Sequence, residues 1–288
     1  MCPRRLLAFK NDLSSPPKVN SKLQPYERDL LIAAGAPRGV PVGVWSEVYL
    51  KLSGYEGDIN YHFDYVVAPI VSSTIHNEAV RFRMTDAQTD ALVADARRVG
   101  LIARAERTPR TSAILVPELT SPLVIEVMTA STSGSDTEVG TDIRSAFRDA
   151  IMNRGHEAPG INKRQVCGRM VTQLFAKTAL TSEWGGKTVW VIQDELLKNI
   201  ELTTRLKTSL IPKHASDNIS LAVMHYETDA DGRKTTNTAF RMSAEGDAGV
   251  SFHGSDKYTD ILLPGRLPEK YELLRAILRR PLAAILTL

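Results

Sequence analysis

Short, almost uniformly apolar segments separated by helical patterns constrain the fold of this chain most strongly. Residues 122–128 read Pro-Leu-Val-Ile-Glu-Val-Met, and residues 188–193 read Thr-Val-Trp-Val-Ile-Gln. Apolar runs of this length are typical of strands that are buried on both faces of a sheet. Amphipathic patterns over 142–152 and 163–180 predict helices between the two runs. The order of strand, helices and strand implies parallel pairing, and therefore an α/β fold with a mixed central sheet flanked by helices.

Other patterns add elements on either side of these strands. Residues 61–70 are rich in β-branched and aromatic residues and predict a strand. Two shorter strands, 101–105 and 112–116, are expected to form a hairpin. Apolar stripes predict further helices at 27–34, 42–52, 85–99, 194–200 and 271–280. The helix that Thr85 caps and Gly100 ends, together with the hairpin, resembles a recognition helix with a wing.

The length of 288 residues suits one elaborated domain. We expect an N-terminal arm and helix over 1–38, a core over 39–202 and a C-terminal α/β extension of the same domain over 203–288. The helix and hairpin form an insert at 75–118 within that core. The sequence therefore predicts a single folding unit with one insertion.

Charge and cysteine content limit the classes of function. The net charge of +3 permits nucleic-acid binding without requiring it. Two cysteines, Cys2 and Cys167, exclude a disulfide framework and a cysteine-rich zinc site. The apolar runs are too short to span a membrane, and the one at 6–9 is too short for a signal peptide. We therefore expect a cytoplasmic protein with no membrane partner.

Basic residues concentrate between the two strands at 61–70 and 122–128. The stretch 81–110 holds seven arginines and four acidic residues. We predict that these arginines contact DNA, although a simply solvated helix face would show the same pattern. The seven are Arg81, Arg83, Arg97, Arg98, Arg104, Arg107 and Arg110.

Two carboxylates stand inside the apolar strands. Asp64 lies between Phe63 and Tyr65, and Glu126 is the single charge in its run. Burying a carboxylate costs several kcal/mol unless a partner compensates, and a divalent cation is one such partner. Carboxylates from adjacent strands can hold one Mg²⁺ with water and phosphate oxygens. An arginine partner for a strand carboxylate is a common alternative.

The order of these motifs resembles the core of the PD-(D/E)xK nuclease superfamily, and in particular the NotI-like restriction endonucleases. The resemblance rests on Glu47, then Phe63-Asp64-Tyr65, then residues 124–129, Val-Ile-Glu-Val-Met-Thr. The segment 169–180 follows, with its Arg, Gln and Lys at matching places. The likeness covers roughly residues 39–202. Its strength lies in the order and combined spacing of short motifs.

The resemblance implies a type II restriction endonuclease that makes Mg²⁺-dependent double-strand cuts at a specific DNA sequence. It implies Asp64 and Glu126 as metal ligands and Glu47 as a further catalytic residue. Symmetric cuts in a palindrome are most simply made by a homodimer, which is the expected assembly. The cysteines that hold iron in the N-terminal part of NotI-like enzymes have no counterpart, so no iron site is expected.

One position departs from the family in a way that affects catalysis. The family has Lys or Gln two residues after the strand Glu, where this chain has Met128, and a thioether is a poor Mg²⁺ ligand. Polar residues on the helix at 163–180 recur every four residues, and Gln173 or Lys177 is the candidate replacement. A loss of activity in a degenerate nuclease would explain Met128 as well.

Two other classes of function stay open. A DNA-binding protein without enzymatic activity, built around the insert at 75–118, would share the arginine-rich stretch. A structural protein that does not bind nucleic acid is consistent with the mild net charge. Incubation of the protein with plasmid and Mg²⁺ separates the nuclease from both.

Overall fold

A mixed β-sheet forms the centre of the protein in the computed structural model, which describes residues 25–54, 57–128, 148–149, 152–155, 175–203, 219–225, 241–247 and 266–288. Its strands are β1 (Pro41–Gly54), β2 (Gly57–Thr74), β3 (Ala113–Pro117), β4 (Leu123–Met128), β5 (Lys187–Gln193), β6 (Ile219–His225), β7 (Arg241–Asp247) and β8 (Leu282–Thr287). The helices are α1 (Pro25–Ala33), α2 (Ile75–Arg81), α3 (Asp86–Arg98), α4 (Ala176–Glu183), α5 (Asp194–Thr203) and α6 (Lys270–Leu278).

The strand order across the sheet is β7-β6-β5-β4-β2-β1-β8, and β3 pairs with the far end of β2. The pairs β4/β5 and β5/β6 are parallel, whereas β4/β2, β2/β1, β1/β8 and β6/β7 are antiparallel. The predicted α/β fold with a mixed central sheet is therefore confirmed. The parallel strands are the apolar runs, as expected for strands that helices cover.

The sheet separates two layers of buried side chains. One face packs Phe63, Val66 and Val124 against α3, α4 and α6. The other face carries Tyr65, Ile125 and Val127, and α1 contributes Leu30 and Leu31 to that layer. Odd and even residues of β4 thus lie on opposite faces, as pleating requires. Glu126 follows the even series and belongs to the face that α4 covers.

The prediction of a helix over 42–52 is wrong, because these residues lie in β1. Val44, Val48 and Leu52 are spaced like a helical stripe, but apolar residues also occupy positions 42 and 50. This segment therefore has a period of two, and its valines and aromatic residues favour a strand. Glu47, expected on a helix, lies on the strand that pairs with Asp64's strand.

The predicted hairpin of 101–105 with 112–116 is also wrong. Residues 101–105 form turns, and β3 pairs with residues 70–74 of β2 instead. The preceding helix matches its prediction: Thr85 Oγ1 accepts from Gln88 N, Gln88 Oε1 accepts from Thr85 N, and Gly100 takes a φ of +81°. The insert therefore carries a capped helix without a wing.

Most other elements agree with the sequence patterns. The strands predicted at 61–70, 122–128 and 188–193 are confirmed, as are the helices near 27–34, 194–200 and 271–280. The helix predicted at 163–180 is confirmed only from Ala176, because residues 156–174 lie outside the described residues. The helix predicted at 142–152 falls almost wholly outside them too. Within the described part of the chain, no helix is long and apolar enough to cross a membrane.

A tight turn fixes α4 against the start of β5. Gly185 has a φ of +76°, a conformation that glycine adopts without strain. A Cβ at Gly186 would collide with the backbone oxygen of Pro122, so the turn packs directly on the chain before β4. Lys187 N donates to that same oxygen at 3.1 Å. This turn sets the position of α4 over β4 and β5.

Candidate active site

Asp64 lies where β2 separates from β4. The pairing of these strands covers residues 65–67 and 123–125, and one further step of the same register would set Asp64 opposite Glu126. In place of a backbone pair, the carboxylate of Asp64 accepts a hydrogen bond from Val127 N, with 2.8 Å between Oδ2 and N. Asp64 and Glu126 therefore both lie where β2 and β4 diverge, and we call this place the fork.

Glu47 flanks the same fork from β1. The register of β1 with β2 pairs Ser46 with Tyr65 and Val48 with Phe63, which sets Glu47 opposite Asp64. Tyr65 belongs to one core layer and Phe63 to the other, so the side-chain alternation breaks at this pair. Glu47 accommodates the break with a φ of +54°, which a non-glycine residue rarely adopts. Acidic residues of three strands therefore follow one another across the sheet.

Glu126 and Lys177 form a buried ion pair on the face covered by α4. Lys177 Nζ donates to Glu126 Oε2 at 2.6 Å, and the two residues are only 7% and 8% exposed. The ammonium group also lies 6.0 Å from the centroid of the Phe63 ring. A lysine on a helix thus contacts the strand carboxylate. Met128, two residues after Glu126 on β4, offers no charged group. Gln173, the other candidate, lies outside the described residues.

Burial dominates the electrostatics of both carboxyl groups. Loss of hydration raises the pKa of Glu126 to about 8, and the charge of Asp64 adds to the rise while Lys177 opposes it. The pKa of Asp64 is raised as well, chiefly by burial, although the Val127 N–H and Lys177 act in the other direction. Both carboxyl groups are therefore harder to ionise than in water, and additional positive charge would favour their ionised forms.

The donor atoms in the fork fit Mg²⁺. Glu126 Oε1 is buried, and no described residue gives it a hydrogen bond. The described residues contain no group of three or more His, Cys, Asp or Glu suited to a metal ion. Mg²⁺ does not need such a cage, because proteins usually bind it through one or two carboxylates, with water and substrate phosphate supplying the other oxygens. Asp64 and Glu126 meet that requirement.

His62 is a site neighbour that the sequence patterns did not single out. Its Nε2 lies at ion-pair distance from Glu47 Oε2, and its ring stacks on Tyr49 with 4.1 Å between centroids. Both His62 and Glu47 influence the pKa of Asp64, which places them at the edge of the fork. The sequence did contain a signal for His62, because this residue precedes Asp64 by only two positions in the same predicted strand.

Four of the seven arginines of the insert pair with groups of the insert itself. Arg110 bridges Asp86 and Asp90, and Arg97 donates to the backbone oxygen of Glu106 at 2.8 Å. Arg98 pairs with Asp95 at 3.0 Å. Arg81 lies 3.7 Å from Glu78, whereas Arg83, Arg104 and Arg107 are exposed. DNA contact by these seven residues stays a prediction, and their ion pairs explain much of the local charge.

No family model matches the chain, and neither the curated proteins nor the solved structures contain a match.

Proposed function

We propose that the chain is a Mg²⁺-dependent endonuclease of the PD-(D/E)xK type that cuts double-stranded DNA, as type II restriction endonucleases do. The observation that carries the proposal is the combination of a buried Glu126–Lys177 ion pair with Asp64 on the neighbouring strand. The resemblance of the motifs at 63–65 and 124–129 supports the same conclusion. Recognition of a specific sequence and a homodimeric assembly belong to the proposal.

Asp64 and Glu126 would hold the cation at the fork between β2 and β4. When bound, Mg²⁺ supplies positive charge against the phosphate and lowers the pKa of water. The Val127 N–H fixes the orientation of the Asp64 carboxylate, because it donates to Oδ2. Lys177 keeps the Glu126 side chain in place from the helix side and adds positive charge where Met128 offers none. In this proposal Lys177 replaces the Lys or Gln that the family has where this chain has Met128.

Phosphodiester hydrolysis suits this set of groups. The reaction builds negative charge on the phosphate oxygens, and preorganised positive charge in a poorly hydrated site stabilises that change. Glu47 and His62 border the fork on the β1 side, where they can position water or substrate. Lys177 on α4 would therefore help to stabilise the negative charge on the phosphate. Glu47 and His62 on the strands would orient the water or the substrate.

A second candidate function follows from the same ion pair. In a catalytically degenerate protein, Lys177 would serve as the permanent cation for Glu126, and no metal would enter. The 2.6 Å contact between Nζ and Oε2 favours this alternative as directly as it favours catalysis. Such a protein could still bind DNA without cutting it.

Plasmid digestion separates the two candidates. We expect supercoiled plasmid DNA to be converted to discrete linear fragments in Mg²⁺ and to stay intact in EDTA. Asp64→Asn and Glu126→Gln should abolish cutting, because each removes a proposed ligand charge. Met128→Ala is the matched control on the same strand and should retain cutting. Intact plasmid in Mg²⁺ with the wild-type protein, across DNAs of varied sequence, would contradict the nuclease proposal.

A further inference from the structure

Three arginines converge on one buried carboxylate between α3 and α6. Asp95 is 7% exposed and lies in the last turns of α3. Its Oδ1 accepts from Arg98 at 3.0 Å. Its Oδ2 accepts from the Nε atoms of Arg275 and Arg279, at 2.7 and 3.0 Å. We call Arg98, Arg275 and Arg279 the arginine cluster.

The arginine cluster carries more positive charge than Asp95 can balance. The other acidic residues of the two helices have their own partners: Asp86 and Asp90 bind Arg110, and Glu272 binds Arg266. Cations near helix C-termini are favoured by the helix dipole, but that effect does not require three guanidinium groups to meet at one carboxylate. Among the described residues, the cluster therefore retains two uncompensated positive charges.

The geometry leaves these charges accessible to solvent. Arg275 and Arg279 use Nε to reach Asp95, which leaves their terminal N–H groups outside that contact. The side chains of Arg98, Arg275 and Arg279 are 62%, 32% and 37% exposed. Asp95 thus holds the arginines side by side, with less conformational freedom to lose when they bind a ligand.

A line of contacts connects this region with the candidate active site. Arg280 follows Arg279 in sequence, and its guanidinium group lies 4.8 Å from the centroid of the Tyr49 ring. Tyr49 stacks on His62, and His62 in turn lies beside Glu47 at the edge of the fork. Arg280 therefore connects the C-terminal end of α6 with the edge of the fork, one residue after the arginine cluster in sequence.

We propose that the arginine cluster binds the phosphate groups of duplex DNA and anchors the duplex beside the fork. The inference rests on the proposed function, and it assigns the DNA backbone to the surface that α3 of the insert shares with α6. Guanidinium groups suit this ligand, because their planar N–H groups match phosphate oxygens in paired hydrogen bonds. Three arginines held by one carboxylate form a prearranged site for successive phosphates.

The test is the salt dependence of DNA binding. Fluorescence anisotropy of a labelled, random-sequence duplex is measured in EDTA over a series of NaCl concentrations. We expect Arg275→Gln combined with Arg279→Gln to flatten the log-log slope by about two units, since each lost phosphate contact removes about 0.9. Arg266→Gln is the matched control, because Glu272 already neutralises Arg266 on the same side of the fold. This control should leave the slope unchanged.

Variants that keep the charge separate DNA binding from folding. The variant with both Arg275→Lys and Arg279→Lys keeps the charge and should retain most of the slope. If the arginines served stability alone, the double Gln variant would unfold at a lower temperature but keep the slope of the wild type. Asp95→Asn keeps all three arginines, so the slope should stay at least as steep as in the wild type. A flattened slope in the folded Asp95→Asn variant would count against the inference. A wild-type slope in the folded double Gln variant would overturn the inference.

The outcome distinguishes this inference from the proposed function. Plasmid cutting by the wild type, combined with an unchanged slope in the double Gln variant, would remove the arginine cluster and leave the nuclease intact. A cluster-dependent slope without cutting would keep the binding surface and remove the nuclease. Absence of both binding and cutting would overturn the two proposals together.

Discussion

Glu126→Gln should remove a loss of stability that the wild-type protein suffers as the pH rises from 5 to 7, while also removing its activity. The amide resembles the protonated acid in shape, and the structure raises the pKa of Glu126 from 4.5 to about 8 through burial. In the unfolded chain the carboxyl group ionises freely at pH 7. Without a bound cation, burial outweighs the opposing charge of Lys177 and favours the protonated form of Glu126 in the folded protein. The Gln variant has no group to ionise at this position.

The magnitude follows from the two pKa values. A carboxyl group whose pKa is higher in the folded state gives stability that is fully present below pH 4.5 and lost as the pH rises through about 8. Each pH unit in that window changes the free energy of unfolding by about 1.4 kcal/mol. The difference between variant and wild type should therefore grow by at most about 3 kcal/mol between pH 5 and pH 7. Any fixed cost of burying the amide is the same at both pH values.

Urea denaturation in EDTA at the two pH values measures this difference. Glu78→Gln is the matched control, because Glu78 is also buried but its Oε1 accepts a hydrogen bond from Ser73 Oγ at 2.6 Å. That variant should lose stability, since the amide replaces the carboxyl oxygen that accepts from Ser73 Oγ, and it should show no difference that grows between pH 5 and pH 7. If Glu126→Gln followed the wild type with no growing difference between pH 5 and pH 7, the reasoning from burial would be refuted.

Three further predictions concern the same site and the turn that supports it. Lys177→Met should fold but cut DNA about 100-fold more slowly or worse, as measured by initial rates, because a charge in a dry site is lost; a rate like that of the wild type would contradict this role. At limiting Mg²⁺ the cleavage rate should rise with pH toward about 8, since the cation binds ionised Glu126, and higher Mg²⁺ should move the rise to lower pH; a flat profile would count against Glu126 as a ligand. Gly186→Ala should cost about 2 kcal/mol or more in urea denaturation, because its Cβ meets the backbone oxygen of Pro122, whereas Gly155→Ala has open space and should cost less.

The strands of the site could be predicted because burial leaves a direct mark in the sequence. Asp64 and Glu126 stand out as single charges in apolar runs, and the strands that carry them are neighbours in the sheet. Lys177 was one of two candidates, with Gln173, that came from two local facts, namely the missing polar group at Met128 and the four-residue spacing along a helix. Periodicity and residue chemistry were enough to predict these positions, because their surroundings are set by residues that are close in sequence.

Other features depend on partners that are distant in sequence. Glu47 was placed on a helix, because a stripe at every fourth residue also satisfies a period of two. The role of residues 112–116 as a partner of β2 depends on pairing that no local pattern specifies. The convergence of Arg275 and Arg279 on Asp95 joins helices whose contacting residues are 180 and 184 positions apart in sequence. Tertiary contacts of this kind leave no periodic signal.

The central claim is that the fork between β2 and β4 binds a divalent cation through Asp64 and Glu126. Electron paramagnetic resonance of Mn²⁺ titrated into the protein at pH 8 tests it without DNA and without turnover. We expect a single saturable Mn²⁺ site in the wild-type protein, displaced by Mg²⁺ and lost in both Asp64→Asn and Glu126→Gln. Wild-type protein that binds no Mn²⁺, or variants that bind it as well as the wild type, would contradict the claim.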